Sequence, residues 1–224
     1  MRQNLHRAQK GDYLVTLISK TLTLFHIYDK DDQTITIEEI CLPKNRQPKN
    51  WKQWVERNAP GHTQWTIYEI NLHTGRRLSS YSFTKNYWFE ISENDDILSK
   101  ILNLKLYKIP EHSRKFIGLR PQFGPDNRQL WQPSLIVEGK NIKGVLFDAW
   151  HTTWPKDHTN LSEKKIIIYT PQDNQQYPSY FPYWLEFNGV GPAGIGQAKI
   201  RIVDSGSHLI SPKPPISSLK LREL

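Results

Sequence analysis

From residue 13 to residue 27 the chain is dense in Val, Leu, Ile, Thr and Phe, side chains that suit a pleated, half-buried surface. A charged interruption at Asp29, Lys30, Asp31 and Asp32 ends the run. Thr34, Ile35, Thr36 and Ile37 then resume an apolar–polar alternation. Two such runs around a polar turn predict a β-hairpin. The pattern recurs at 65–70 and 78–83 about Thr74 and Gly75, and at 135–137 and 142–150 about Gly139, Lys140 and Asn141. Further strands are expected at 165–169, 183–187 and 198–203. About nine or ten strands joined mostly by short turns imply largely antiparallel pairing.

Helical periodicity is confined to two places. Asn50 and Gln53 resemble a capping pair, with Trp51, Trp54 and Val55 sharing one face. Ser92 and Asp95 have the Ser-x-x-Asp capping spacing ahead of an apolar stripe at Ile97, Leu98, Ile101 and Leu102. Both read as short covers, because a sheet must bury one face against something. The expected fold is therefore mainly β: one large, strongly curved antiparallel sheet, as a half-barrel or a sandwich, with one or two short covering helices. Residues 1–210 are expected to form a single β-rich domain, and 211–224 a Pro-rich, partly mobile C-terminal tail.

Residues 109–133 break the alternation with four prolines among charged side chains. Phe116, Ile117, Leu119, Phe123 and Trp131 make the stretch too apolar for a free linker, so it is expected to pack on the body as a long loop.

Composition narrows the class. With 224 residues the chain holds one large domain or two small ones. Its 8 Trp, 10 Tyr and 8 Phe exclude a wholly disordered chain. No window approaches the roughly 20 apolar residues of a membrane-spanning helix. Cys41 is the single cysteine, which excludes an intrachain disulfide and a thiolate metal cluster. Between Ile40 and Leu42 it reads as a small buried hydrophobe. The start of the chain is basic without an apolar stretch, so no secretion signal is expected. A soluble protein is expected, cytoplasmic or, if a signal has been removed, periplasmic.

A net charge of +8 favours anionic partners. Nine cations against three anions fall within 100–143, interleaved with Tyr107, Phe116, Phe123 and Trp131. Cations that track phosphates beside aromatics that stack bases suit single-stranded nucleic acid. Lys108, Arg114, Lys115, Arg120 and Arg128 are the anion-binding candidates.

The densest aromatic stretch holds Tyr177, Tyr180, Phe181, Tyr183 and Trp184 around Pro178 and Pro182. Both prolines limit ladder hydrogen bonding and place it at a sheet edge or mouth. Trp154, Tyr180, Phe181, Tyr183 and Trp184 are thus the candidate ligand-binding set, for an apolar or amphipathic anionic ligand or a protein surface.

Other motifs carry less. Four glycines between 189 and 196 precede an alternating strand instead of a helix, and Pro192 has no N–H to offer an anion; a hairpin loop is expected. Asp204, Ser205 and His208 are triad residue types, but a local run has no triad geometry. Asp148, His151 and His158 are the best acid–base cluster. A three-residue step along a strand nevertheless puts Asp148 and His151 on opposite faces. No catalytic residue, metal ligand or cofactor is assigned. The leading expectation is a non-enzymatic binding protein. The alternatives are nucleic-acid binding through 100–143 and a hydrolase-like enzyme around Asp148, His151 and His158.

Overall fold

The computed structural model describes residues 1–92, 96–172, 178, 180–191, 194, 195 and 198–220. Fifteen strands are present among the described residues: β1 (Tyr13–Ile18), β2 (Thr21–Lys30), β3 (Thr34–Pro43), β4 (Gln64–Asn71), β5 (Arg77–Ser82), β6 (Tyr87–Phe89), β7 (Tyr107–Lys108), β8 (Leu135–Val137), β9 (Lys140–Ile142), β10 (Phe147–Thr153), β11 (Lys165–Pro171), β12 (Trp184–Asn188), β13 (Val190–Gly191), β14 (Gly194–Ile195) and β15 (Ala198–Gly206). The helices are α1 (Arg2–Leu5), α2 (Trp51–Glu56), α3 (Ile97–Asn103) and α4 (Ile216–Lys220). Eleven strands form one antiparallel sheet in the order β6-β5-β4-β3-β2-β1-β15-β12-β11-β10-β7. The sheet is not closed into a barrel: β6 and β7 are its two edges. β8–β9 and β13–β14 are separate small hairpins.

One apolar cluster joins the two halves of the sheet. Leu14, Ile27, Ile37 and Tyr68 from β1–β4 share it with Ile168, Leu185, Phe187 and Ile202 from β11, β12 and β15. The other face of the first half is covered too. Tyr13, Leu22, Leu24 and Ile40 pack with Trp51, Trp54 and Val55 of α2, while Ile67 and Tyr81 pack with Ile216 and Leu219 of α4. Strands covered on both faces lose their alternation, and five consecutive residues of β1 are buried.

A buried His–Glu pair ties the C-terminal segment to this second face. His26 Nδ1 lies 2.9 Å from Glu38 Oε2, and His26 Nε2 lies 3.1 Å from the Leu209 carbonyl. Both ring nitrogens thus lie within hydrogen-bond distance of an oxygen, and the ring is held from both sides. Glu38 Oε1 also accepts from Trp65 Nε1 at 2.8 Å and from Ser211 Oγ at 2.7 Å.

Several local expectations change. The run at 13–27 is split by a two-residue turn at Ser19 and Lys20, with Ser19 at φ 53°, and neither residue is a strong turn signal. The return strand expected over 142–150 is two elements: β9 ends at Ile142, Gly144 turns the chain at φ 77°, and β10 joins the large sheet. α3 is capped by Asp96, whose side chain accepts from Ser99 N, and not by Ser92; Asp95 lies outside the described residues. Of the glycine-rich stretch, β13 and β14 do pair as a hairpin, while Pro192, Ala193 and Gly196 lie outside the described residues.

The largest correction concerns 109–133. Its stem is fixed by an antiparallel bridge between Phe116 and Leu130, and Trp131 packs edge-on to Tyr169 and Trp184. The tip does not pack on the body: Leu119 is 96% exposed and Phe123 90% exposed. The neck explains this. Arg128 Nη1 donates to the Gly118 carbonyl at 3.1 Å while Nε and Nη2 hold Asp126, so the loop closes on itself.

Candidate ligand cavity

An open curved sheet leaves a mouth between its edges, and here the chain connecting them supplies a cover. β6 and β7 are consecutive strands, and α3 is the helix between them. Ion pairs fasten α3 to both halves of the sheet. Asp96 at its N-terminus faces Arg77 of β5, with Oδ2 3.4 Å from Nε. Lys100 donates to Asp157, in the turn following β10. Asp157 also accepts from Trp154 Nε1 at 2.8 Å and from Thr159. Burial pushes the Asp157 carboxyl up, but Lys100, Thr159 and Trp154 together hold it well below the usual carboxylate range. The amphipathic stripe of α3 is thereby aimed inward, and Ile101 and Leu102 are buried in the main cluster.

Beneath α3 lies a cavity of about 250 Å³. Phe25, Phe89, Ile101, Phe181 and Ile200 contribute its apolar wall. Phe25 and Phe181 stack with ring centroids 5.6 Å apart. Ile18 and Ile97, which also line it, are 43% and 46% exposed and mark its mouth. An apolar cavity of about 150 Å³ already admits a benzene-sized guest.

The polar floor is made by Glu39, Arg77 and Asp96, with Thr16 and Thr66 beside them. Arg77 lies over the Tyr68 ring at 3.9 Å, and Tyr68 donates to Glu39 Oε2 at 3.2 Å. Burial raises the Glu39 carboxyl above its ordinary range, opposed by Arg77 and by the Tyr68 hydrogen bond. Asp96 already accepts from Ser99 N and Oγ at the start of α3. Arg77 donates to Asp96 Oδ1 through Nη2 at 3.4 Å, but its buried Nε makes no hydrogen bond. A buried donor without an acceptor is costly, so this atom favours an acceptor oxygen arriving with a guest.

The expected ligand-binding residues are divided by the fold. Phe181 lines this cavity. Trp154 is buried against Phe187, 6.2 Å between centroids. Tyr183 is buried, its hydroxyl 3.0 Å from the Pro178 carbonyl and 3.1 Å from Ser205 Oγ. Tyr180 is buried with no hydrogen-bond partner for its hydroxyl. Trp184 belongs to a separate groove of about 330 Å³ with Trp131 and Arg201. Tyr177 lies outside the described residues.

The five anion-binding candidates are also divided. Arg114 is buried and donates to the main-chain carbonyls of Ile109 and Phe147. Lys108 pairs with Asp148 at 3.1 Å. Arg128 pairs with Asp126 at 2.7 Å, and its hydrogen bonds pull that carboxyl down to about 2. Lys115 and Arg120 are exposed.

Asp148, His151 and His158 do not converge. Asp148 is held by Lys108, Arg114 and Gln172, while His151 stacks on Tyr107 at 5.5 Å and His158 is exposed. Among the described residues no group of three metal-capable side chains comes together. The Asp204–Ser205 segment serves the fold: Asp204 Oδ1 accepts from Gly139 N at 3.0 Å, and Ser205 Oγ donates to the Ile136 carbonyl at 2.8 Å. A Cβ at Gly206 would lie 2.6 Å from the Tyr13 ring, so glycine is needed there for packing.

Sequence reasoning missed Phe25, Glu39, Arg77 and Asp96. One signal was present: Glu39 sits at period two between Ile37 and Cys41, a carboxylate interrupting an apolar face. The convergence itself comes from pairing between residues far apart in the chain.

Comparison with known proteins supports the architecture. No curated protein matches the chain. The solved structure of the hypothetical protein CT021 from Chlamydia trachomatis is similar to it, with a TM-score of 0.61 over 96% of each chain at 22% identity. At that identity the likeness concerns the fold alone. The model of the CT021 protein family matches residues 23–143, more than half of the chain, and on this the protein belongs to the CT021 family.

Proposed function

We propose that the protein is a non-enzymatic binder of an apolar or amphipathic small molecule, held on the concave face of its sheet beneath α3. The observation that carries this reading is the cavity of about 250 Å³, with an apolar wall and a polar floor in which the buried Arg77 Nε makes no hydrogen bond. Aromatic and aliphatic walls supply affinity without direction, and a few convergent polar groups fix orientation. Phe181, with Phe25, grips the apolar part. Arg77, while paired with Asp96, offers its unbonded Nε–H to an acceptor at the polar end, and burial favours the neutral form of Glu39.

The cavity suits a guest of about ten non-hydrogen atoms, judged against benzene in a smaller one. Octanoate is a probe of that size and polarity. Calorimetric titration is expected to show saturable binding, weakened about ten-fold or more in Arg77→Met, which keeps length and removes the donors. Absence of binding by wild-type protein, or equal affinity of the two proteins, would overturn the reading. Native mass spectrometry of protein purified gently from its own host tests it independently: a co-purifying mass of about 150 daltons is expected, the mass of some ten non-hydrogen atoms. The nucleic-acid alternative through 100–143 makes a different prediction, affinity for anionic polymer that falls steeply with salt and ignores Arg77.

A further inference from the structure

The loop between Phe116 and Leu130 ends in the most exposed large apolar side chains of the described structure, Leu119 at 96% and Phe123 at 90%, with Ile117 at 55%. The single exposed apolar residues elsewhere need no explanation. Two nearly naked side chains on one small tip are different, because the neck is built to hold them there. Ile117 N donates to the Gln129 carbonyl at 2.9 Å and Trp131 N to the Lys115 carbonyl at 2.8 Å. The Arg128–Asp126 fork then straps the neck to Gly118. Gly118 and Gly124 turn the tip at φ 86° and 85°, and a Cβ at either would meet nothing within 4 Å.

Charge accompanies the tip. Between 115 and 131 the cations are Lys115, Arg120 and Arg128, and the only acid is Asp126, already paired with Arg128. Arg120 is exposed next to Leu119, and Lys115 is exposed at the base of the neck, its ammonium 5.2 Å from the Trp131 ring. A convex apolar tip flanked by cations needs no complementary pocket to be buried at a bilayer interface, where apolar side chains enter the acyl boundary and Lys or Arg meets anionic headgroups. We propose that this loop is a docking finger for an anionic lipid bilayer surface, with Leu119 and Phe123 inserted and Arg120 and Lys115 at the headgroups. The proposal is independent of the cavity under α3, since no residue of the tip lines it.

The test is sedimentation of the full chain with vesicles of phosphatidylcholine alone and of phosphatidylcholine mixed with phosphatidylserine. Binding to the mixed vesicles is expected, weaker to the neutral ones, and reduced by salt. Leu119→Ser combined with Phe123→Ser keeps the charge and removes the wedge, and is expected to lower partitioning about 100-fold. A polarity-sensitive dye on Phe123→Cys in a Cys41→Ser background is expected to shift to the blue on mixed vesicles. Three outcomes would overturn the proposal. Wild-type protein fails to bind either vesicle, or the double serine variant binds as well as wild type, which means adsorption by charge alone. The third is self-association of wild-type protein that the double serine variant abolishes, which means that a second copy covers the tip.

Discussion

Glu39 is the residue at which burial and function meet. Its carboxyl sits in the cavity floor, and burial raises it above the ordinary range despite Arg77 and Tyr68. A folded-state value above the unfolded one means that its contribution to stability is fully present below the unfolded carboxyl range, about pH 4.3. That contribution is lost as pH rises through the folded value. At neutral pH an ionised Glu39 is therefore a cost. Glu39→Gln is expected to raise the melting temperature by about 2–4 °C near pH 7 and to flatten its dependence on pH from about 4 to 7. Thermal melts of both proteins across that range check it, and a lower melting temperature for the variant at neutral pH would refute it. Asp148 and Asp157 have the opposite sign. Burial pushes each up, but their hydrogen-bonded partners hold them down. Their contribution is present above the unfolded carboxyl range and disappears as pH falls. In the sequence these three acids look alike, because only their neighbours in space tell them apart.

At the scale of elements, α3 is the part that positions the cavity. Its stripe was legible from Ile97, Leu98, Ile101 and Leu102, since 3.6-residue periodicity is a local property. Its cap and anchors were less so. Asp96 caps it in place of Ser92, and the anchors Arg77 and Asp157 lie in distant segments. Asp157→Asn weakens both the Lys100 pair and the Trp154 hydrogen bond, at a cost of about 1.5–3 kcal/mol for charged hydrogen bonds. Hydrogen exchange is expected to speed up over 97–103 while β1–β4 keep their protection. Unchanged exchange in α3 would show that the anchor contributes nothing. The loop at 109–133 teaches the converse lesson. Its aromatic content suggested packing on the body, but the Arg128–Asp126 fork closes the neck locally and leaves Leu119 and Phe123 outside.

Across the whole molecule the seam is β1 against β15, with Tyr13 opposite Gly206. It joins the beginning and end of the chain, and the main cluster draws on both halves of the sheet. A single calorimetric transition is expected, with a calorimetric to van't Hoff enthalpy ratio near one; two resolved transitions would show separable halves. The segment 1–143 alone lacks β10–β12 and β15, so it leaves Leu14, Ile27, Ile37 and Tyr68 without their facing residues. The hydrophobic pattern by itself determined the mainly β class, the antiparallel hairpins and the two helical covers. Those features rest on interactions among residues close in sequence, where side-chain period and turn chemistry act directly. Only the tertiary structure decided that the sheet stays open, that α3 covers its mouth, and that Phe25, Phe181, Glu39 and Arg77 share one cavity. Each of these depends on strand order and curvature, which bring distant residues together and leave no periodic trace in the chain.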